Sequence, residues 1–194
     1  TTVLEWLRLE AGLTGTKEGC AEGDCGACTV ALARREDDGT HWRAVNSCLL
    51  TLGQIDGLSI RTVEGLANPD GTLHPVQQAM VETDGTQCGF CSPGFVMSMF
   101  AFAEGGEPGE DDLIHEAIAG NLCRCTGYRP IVDACREIAG KGGSFDPADG
   151  LLPPEQVSES YGGSDSLFLA PRSSMELAEM MDRHPDAWLL SGGT

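Results

Sequence analysis

Nine cysteines constrain this 194-residue chain more than any other feature, because three of them crowd a single glycine-rich run. Their order is Cys20-x4-Cys25-x2-Cys28, with Cys48 further on. Gly15, Gly19, Gly23 and Gly26 surround the three, so the segment from Gly15 to Cys28 reads as a wrapped loop whose backbone can approach a bound group closely. This is the spacing of a plant-type [2Fe–2S] cluster. Two thiolates must serve each iron while the loop curls round the inorganic sulfides, and Gly19, Gly23, Gly26 and Ala27 leave room for that. Backbone N–H groups aimed at the sulfurs would favour the reduced, more negative cluster. A zinc knuckle would use two separated C-x2-4-C pairs instead.

A second set is Cys88-x2-Cys91 with Cys123-x-Cys125. Its spacing describes an iron–sulfur or a zinc site, and spacing alone leaves both open. A Rieske centre would need two histidine ligands, but His74 and His115 are the nearest histidines and neither sits in a cysteine pair. The ninth cysteine, Cys135, falls on a helical apolar stripe and reads as a small buried hydrophobe. Gln87 and Arg124 are polar neighbours of cluster cysteines.

The odd cysteine count argues against a purely disulfide framework, and in a reducing compartment metal binding is the better explanation. The start, Thr1-Thr2-Val3-Leu4-Glu5-Trp6, lacks the basic and apolar regions of a signal peptide, which predicts a cytoplasmic chain. No apolar run is long enough to span a membrane. A net charge of −18 argues against nucleic-acid or anionic-membrane partners.

The pattern divides the chain. Residues 1–66 read as α+β: a helix over Thr1–Glu10, the cysteine loop, a strand at Thr29–Ala33, a turn at Asp37–Thr40, a return strand at His41–Val45 and a further strand at Leu58–Val63. Residues 67–140 read as four helices in a compact bundle, with apolar stripes starting at Val76, Phe95, Leu113 and Ile131. Pro93 and Pro130 open two of the four. Residues 141–164 are rich in Gly, Pro, Ser and acidic residues and read as a linker. Residues 165–194 suggest a short βαβ pattern: a strand at Leu167–Leu169, a helix capped by Ser173 or Ser174, and a strand at Trp188–Leu190 leading into a Gly-Gly loop suited to phosphate.

The string from Thr14 to Val30 closely resembles the ferredoxin-like domain of the xanthine dehydrogenase and xanthine oxidase family of molybdenum hydroxylases. The runs Gln87-Cys88-Gly89-Phe90-Cys91-Ser92-Pro93-Gly94-Phe95 and Gly120-Asn121-Leu122-Cys123-Arg124-Cys125-Thr126-Gly127-Tyr128-Arg129-Pro130 resemble that family's second cluster domain. Phe168-Leu169-Ala170-Pro171 through Ser191-Gly192-Gly193-Thr194 resembles the opening of its flavin domain. Within the family, Arg43-Ala44-Val45-Asn46-Ser47-Cys48 points toward the xanthine dehydrogenases, and the fused flavin segment resembles the small subunit of bacterial two-subunit members.

The resemblance implies a ferredoxin-like (β-grasp) domain, a four-helix cluster domain and the start of an α/β FAD-binding domain of the PCMH type. It also implies that an opening strand pair would precede Thr1 and that an acidic residue would follow Thr194. One cluster would sit on Cys20, Cys25, Cys28 and Cys48, and the other on Cys88, Cys91, Cys123 and Cys125. Electrons from a molybdopterin centre on a partner subunit or domain would reach the helical cluster, then the ferredoxin-like cluster, then FAD and finally NAD. Gln87 and Cys125 would lie against the pterin, and Gly192, Gly193 and Thr194 would approach FAD. No catalytic acid or base for hydroxylation falls in this chain, and the assembly implied is a dimer of heterodimers. Ser92 stands where threonine is commoner in the family. Asp24 stands where glycine is common, and would add negative charge beside Cys25.

Overall fold

A computed structural model describes residues 1–36, 39–141, 160–162 and 167–190. The fold is α+β, and its elements follow from local chemistry. Thr2 caps the first helix through a reciprocal pair: its hydroxyl accepts from Glu5 N–H at 3.2 Å, and Glu5 accepts from Thr2 N–H at 2.8 Å. This helix, α1, spans Val3–Glu5 and continues as a wider π turn over Trp6–Glu10, rather than as the uniform helix that periodicity predicts. The wider turn is closed by Ala11 N–H on the Trp6 carbonyl at 2.9 Å, and Leu7 C=O takes Leu13 N–H at 2.8 Å.

Strands β1 (Thr29–Glu36) and β2 (Gly39–Asn46) pair antiparallel, with Thr29 opposite Asn46 and Ala33 opposite Trp42. The short β3 (Ser59–Arg61) flanks β1 on its other edge, giving the order β2-β1-β3. The Asp37-Asp38 part of the expected turn lies outside the described residues. The Val30-Ala31-Leu32-Ala33 run is apolar without alternation because both faces of β1 are covered. Val30 packs with Val3 and Leu7 of α1, while Ala31 and Ala33 join the helical core on the opposite face.

Helices α2 (Pro75–Glu82), α3 (Ser92–Glu104), α4 (Asp111–Ile118) and α5 (Arg129–Ile138) pack together beside this sheet. His74 caps α2 by accepting from Val76 N–H. The α3 sequence carries no polar stripe, and every residue from Gly94 to Ala103 is buried. The reason is position: α3 runs between β1 and β2 on one side and the other three helices on the other. Phe100 meets the Trp42 ring edge-on at 5.2 Å, joining sheet to helices. Cys135 is fully buried in this core, and burial pushes its thiol pKa up to about 12. No described helix is long and apolar enough to cross a membrane.

Most of the expected linker lies outside the described residues. Beyond it, β4 (Ser160–Gly162) and β5 (Leu167–Leu169) form an antiparallel pair, and α6 (Ser174–Arg183) is capped by the Ser173 hydroxyl. The expected strand at Trp188–Leu190 does not form. These residues are exposed and find no partner strand among the described residues, and a strand without a partner leaves its backbone groups to water. The βαβ reading is corrected accordingly. Gly192, Gly193 and Thr194 lie outside the described residues.

Replacing Phe100 by Ala is expected to cost about 3–5 kcal/mol, because a fully buried ring is lost where sheet and helices meet. Chemical denaturation of the variant measures this, and a cost under about 1 kcal/mol would contradict the packing described.

Candidate metal centres

The first cysteine loop is shaped by left-handed residues at Ala21, Gly23 and Gly26. Such a path turns successive N–H groups inward. Cys20 Sγ accepts from the N–H groups of Cys25 and Glu22, at 3.4 and 3.5 Å, and Cys25 Sγ accepts from Cys20 N–H at 3.4 Å. The donors from Glu22 and Cys25 bring the Cys20 thiol down to about 7. A side chain cannot be added at Gly19, since a Cβ there would stand 2.7 Å from Cys25 Sγ. Cys28 and Cys48 form the second half of the set, buried against Leu4. Burial, reinforced by the neighbouring Cys28, pushes the Cys48 thiol up to about 12. Ser47 anchors this half by donating its hydroxyl to Cys28 C=O at 2.7 Å.

The second set lies in the loops before α3 and α5. Cys91 is the residue that precedes α3, and Cys123 and Cys125 lie between α4 and α5. Cys88 interacts with Cys125, and Cys91 with Cys123. The N–H of Phe90, followed by contact with Cys125, lowers the Cys88 thiol pKa, while contact with Cys88 raises that of Cys125. Burial pushes the Cys91 thiol up to about 12. Burial alone would raise Cys123 too, but hydrogen bonds from Thr126 outweigh it and lower the value. Cys123 N–H also donates to the Tyr128 hydroxyl at 2.8 Å, and Tyr128 holds a left-handed backbone (φ 69°) to reach it. The Tyr128 ring packs edge-on against Phe95, 6.1 Å away.

Among the described residues, no three His, Cys, Asp or Glu side chains converge on a single-ion site. The strongest thiol contacts run Cys20 with Cys25, Cys28 with Cys48, Cys88 with Cys125 and Cys91 with Cys123, and weaker electrostatic contacts join the two pairs of each set. Pairing by two suits a two-iron group, which takes two thiolates at each iron, so the donor chemistry of each set fits [2Fe–2S]. Exposure differs between the sets. Cys28 and Cys48 are buried, whereas Cys88 and Cys125 are exposed. Cys88, Cys91, Cys123 and Cys125 line a cleft of about 400 Å³ with Phe90, Leu122, Arg124 and Tyr128. Gln87 is exposed next to Cys88.

The two loops touch. Leu122 N–H donates to Cys25 C=O at 2.9 Å, and Asn121 Nδ2 donates to Gly26 C=O at 3.0 Å. Sequence reasoning assigned no role to Asn121, Leu122, Thr126 or Tyr128, although all four lie in the string around Cys123. A polar Asn one residue ahead of an apolar residue and a cysteine pair is the one signal that could have drawn attention to them.

Residues 62–136 match the sequence model of the [2Fe-2S] binding domain. The chain is 50% identical over 143 residues to xanthine dehydrogenase 1 of Arabidopsis thaliana, an alignment covering 71% of this chain and 10% of that protein. It is 36% identical to aldehyde oxidase 2 of Cavia porcellus over 248 residues, covering all of this chain and 18% of the relative. The chain thus spans less than a fifth of the length of these curated relatives. Among solved structures, a chain of quinoline 2-oxidoreductase from Pseudomonas putida 86 superposes with a TM-score of 0.61 at 35% identity, covering 78% of this chain and 86% of that one.

Gly94 tests the seam between the loops. Alanine is the better helix former by about 1 kcal/mol, but a Cβ at Gly94 would run into the Gly26 carbonyl. Gly94→Ala is therefore expected to destabilise by about 1–3 kcal/mol in chemical denaturation, and a stabilised variant would contradict the close approach.

Proposed function

Because the chain belongs to the xanthine dehydrogenase and aldehyde oxidase family of molybdenum hydroxylases and carries that family's iron–sulfur electron-transfer domain, we propose that it is the electron relay of a purine hydroxylase of the xanthine dehydrogenase kind. The observation that supports the relay is the presence of two sets of four thiols joined by direct hydrogen bonds between their loops, and the 50% identity to a xanthine dehydrogenase favours the purine substrate. In this reading residues 1–66 are a ferredoxin-like domain, residues 67–140 a four-helix cluster domain, residues 141–164 a linker and residues 165–194 the beginning of an FAD-binding domain.

When bound, each [2Fe–2S] cluster would accept and release a single electron. Cys20, Cys25, Cys28 and Cys48 would hold one, and Cys88, Cys91, Cys123 and Cys125 the other. The N–H groups of Cys20, Glu22, Cys25 and Phe90 would stabilise negative charge on the sulfurs, and Asp24 would add charge beside Cys25. Tyr128 and Thr126 would hold Cys123 in orientation. The exposed cleft of the second set, with its apolar rim of Phe90 and Leu122, favours it as the end that faces a molybdopterin-binding partner, with Gln87 and Cys125 against the pterin. The first set would stand nearer FAD and pass electrons onward, with Gly192, Gly193 and Thr194 approaching the flavin and NAD as final acceptor. A dimer of heterodimers with the partner subunit is the assembly proposed.

A second reading keeps the relay and changes the substrate to an aldehyde, carbon monoxide or an N-heterocycle. The similarity to an aldehyde oxidase and to a quinoline oxidoreductase favours it, since substrate choice would lie with the partner.

Iron, zinc and acid-labile sulfide content of the chain purified with its partner tests the relay. Two irons and two sulfides for each cluster, or about four of each per chain, are expected. Zinc in the second set would overturn it. Cys28→Ser is expected to remove one of two EPR signals after reduction and to leave the other. Reduction by xanthine but not by aldehydes would separate the two substrate readings.

A further inference from the structure

We propose that Asn121 is a positioning residue that fixes the separation and orientation of the two cysteine loops, and through them the one-electron step between the clusters they hold. The inference rests on the two-cluster reading above. Asn121 is 3% exposed, and its carboxamide is engaged at both ends. Nδ2 donates to Gly26 C=O at 3.0 Å and to Thr29 Oγ1 at 3.2 Å. Oδ1 accepts from Ser98 Oγ at 2.6 Å, and the backbone N–H closes the end of α4 on Ile118 C=O at 3.0 Å.

These contacts reach segments of both sets. Gly26 lies between Cys25 and Cys28, and Thr29 follows Cys28. Asn121 lies two residues before Cys123. Ser98 is on α3, the helix that starts from Cys91. One buried side chain therefore bridges the loop of the first set, a loop of the second set and the helix that follows Cys91. An amide suits the place because the site asks for a donor on one side and an acceptor on the other. A carboxylate would face the Gly26 carbonyl with negative charge, and an apolar side chain would leave the Ser98 hydroxyl without its acceptor.

Close packing concentrates the control here. A Cβ on Gly26 would run into the Gly120 carbonyl, and one on Gly94 into the Gly26 carbonyl, so the loops cannot approach further. The hydrogen bonds of Asn121 prevent them from drifting apart. In the step concerned, one electron would leave a cluster held by Cys88, Cys91, Cys123 and Cys125, oxidising it, and would enter one held by Cys20, Cys25, Cys28 and Cys48, reducing it. No proton or atom moves, so the surrounding chain acts on the step through the separation and orientation of the clusters, besides the donors that tune each cluster's charge.

The test is low-temperature EPR of the chain with its partner, fully reduced by dithionite, in the wild type, in Asn121→Leu and in Ser98→Ala. Magnetic coupling between two nearby reduced clusters splits their signals. The expected result is a clear splitting in the wild type, its loss in Asn121→Leu and a narrowing in Ser98→Ala, with iron content unchanged in both variants. A purely structural role would lower stability and leave the splitting of iron-replete protein as it was. Unchanged splitting in iron-replete variants, or no splitting in a wild type that holds both clusters, overturns the proposal. Where Asn121→Leu fails to fold or to hold iron, Ser98→Ala decides, because Ser98 lies on α3 outside both cysteine loops and the change removes a single hydrogen bond to Asn121. A wild type with a single cluster sinks the two-cluster reading itself, and the iron count alone shows that.

Discussion

The Gly26 carbonyl sits inside the first cysteine loop, and the rest of the structure is arranged round it. It accepts from Thr29 N–H at 3.1 Å, Thr29 Oγ1 at 2.7 Å and Asn121 Nδ2 at 3.0 Å, and Gly94 of α3 has no room for a side chain against it. A carbonyl buried this deeply needs partners, and its partners come from its own loop and from the second cysteine loop. Two cysteine-bearing segments more than ninety residues apart in sequence are thereby brought into direct contact. The helices and strands around them can be read as the scaffold that keeps this contact fixed.

That scaffold works by burying both faces of one hairpin. The face of β1 that carries Val30 is closed by Val3 and Leu7, and the N-terminal amides of α1 are taken up by Leu50 and Ser47 carbonyls on either side of Cys48 and Leu49. The face that carries Ala31 and Ala33 is closed by α3, where the small alanines allow close approach. The first helix thus steadies Cys28 and Cys48, while α3 starts at Cys91 and carries Ser98 toward Asn121. Stability and site geometry draw on the same contacts.

Much of this was legible in the residues. The Cys20-x4-Cys25-x2-Cys28 spacing and the surrounding glycines located the first loop, because a cluster imposes local spacing that sequence displays. Pro93 and Pro130 marked two of the four helices, because helix starts are governed by nearby residues. The π turn at Trp6–Glu10 was not legible, since it depends on closure by Ala11 and Leu13. The sequence of α3 shows an apolar stripe, whereas the helix is buried on all sides, because its second covering layer is the distant β1–β2 hairpin. Trp188–Leu190 has the composition of a strand but lacks a partner, and strands are decided by pairing. The roles of Asn121 and Tyr128 stayed hidden for the same kind of reason. One acts across a contact between distant loops, and the other through a left-handed backbone that a tyrosine rarely adopts.

The central claim is that the two cysteine loops hold two one-electron groups in one relay. A stoichiometric reductive titration of the chain with its partner, with the molybdenum and flavin contributions subtracted by their own spectra, tests this most directly. The account predicts that the iron–sulfur absorbance bleaches with uptake of about two electrons per chain, one for each cluster. Uptake of about one electron would mean that one set of thiols holds no redox group, and would contradict it.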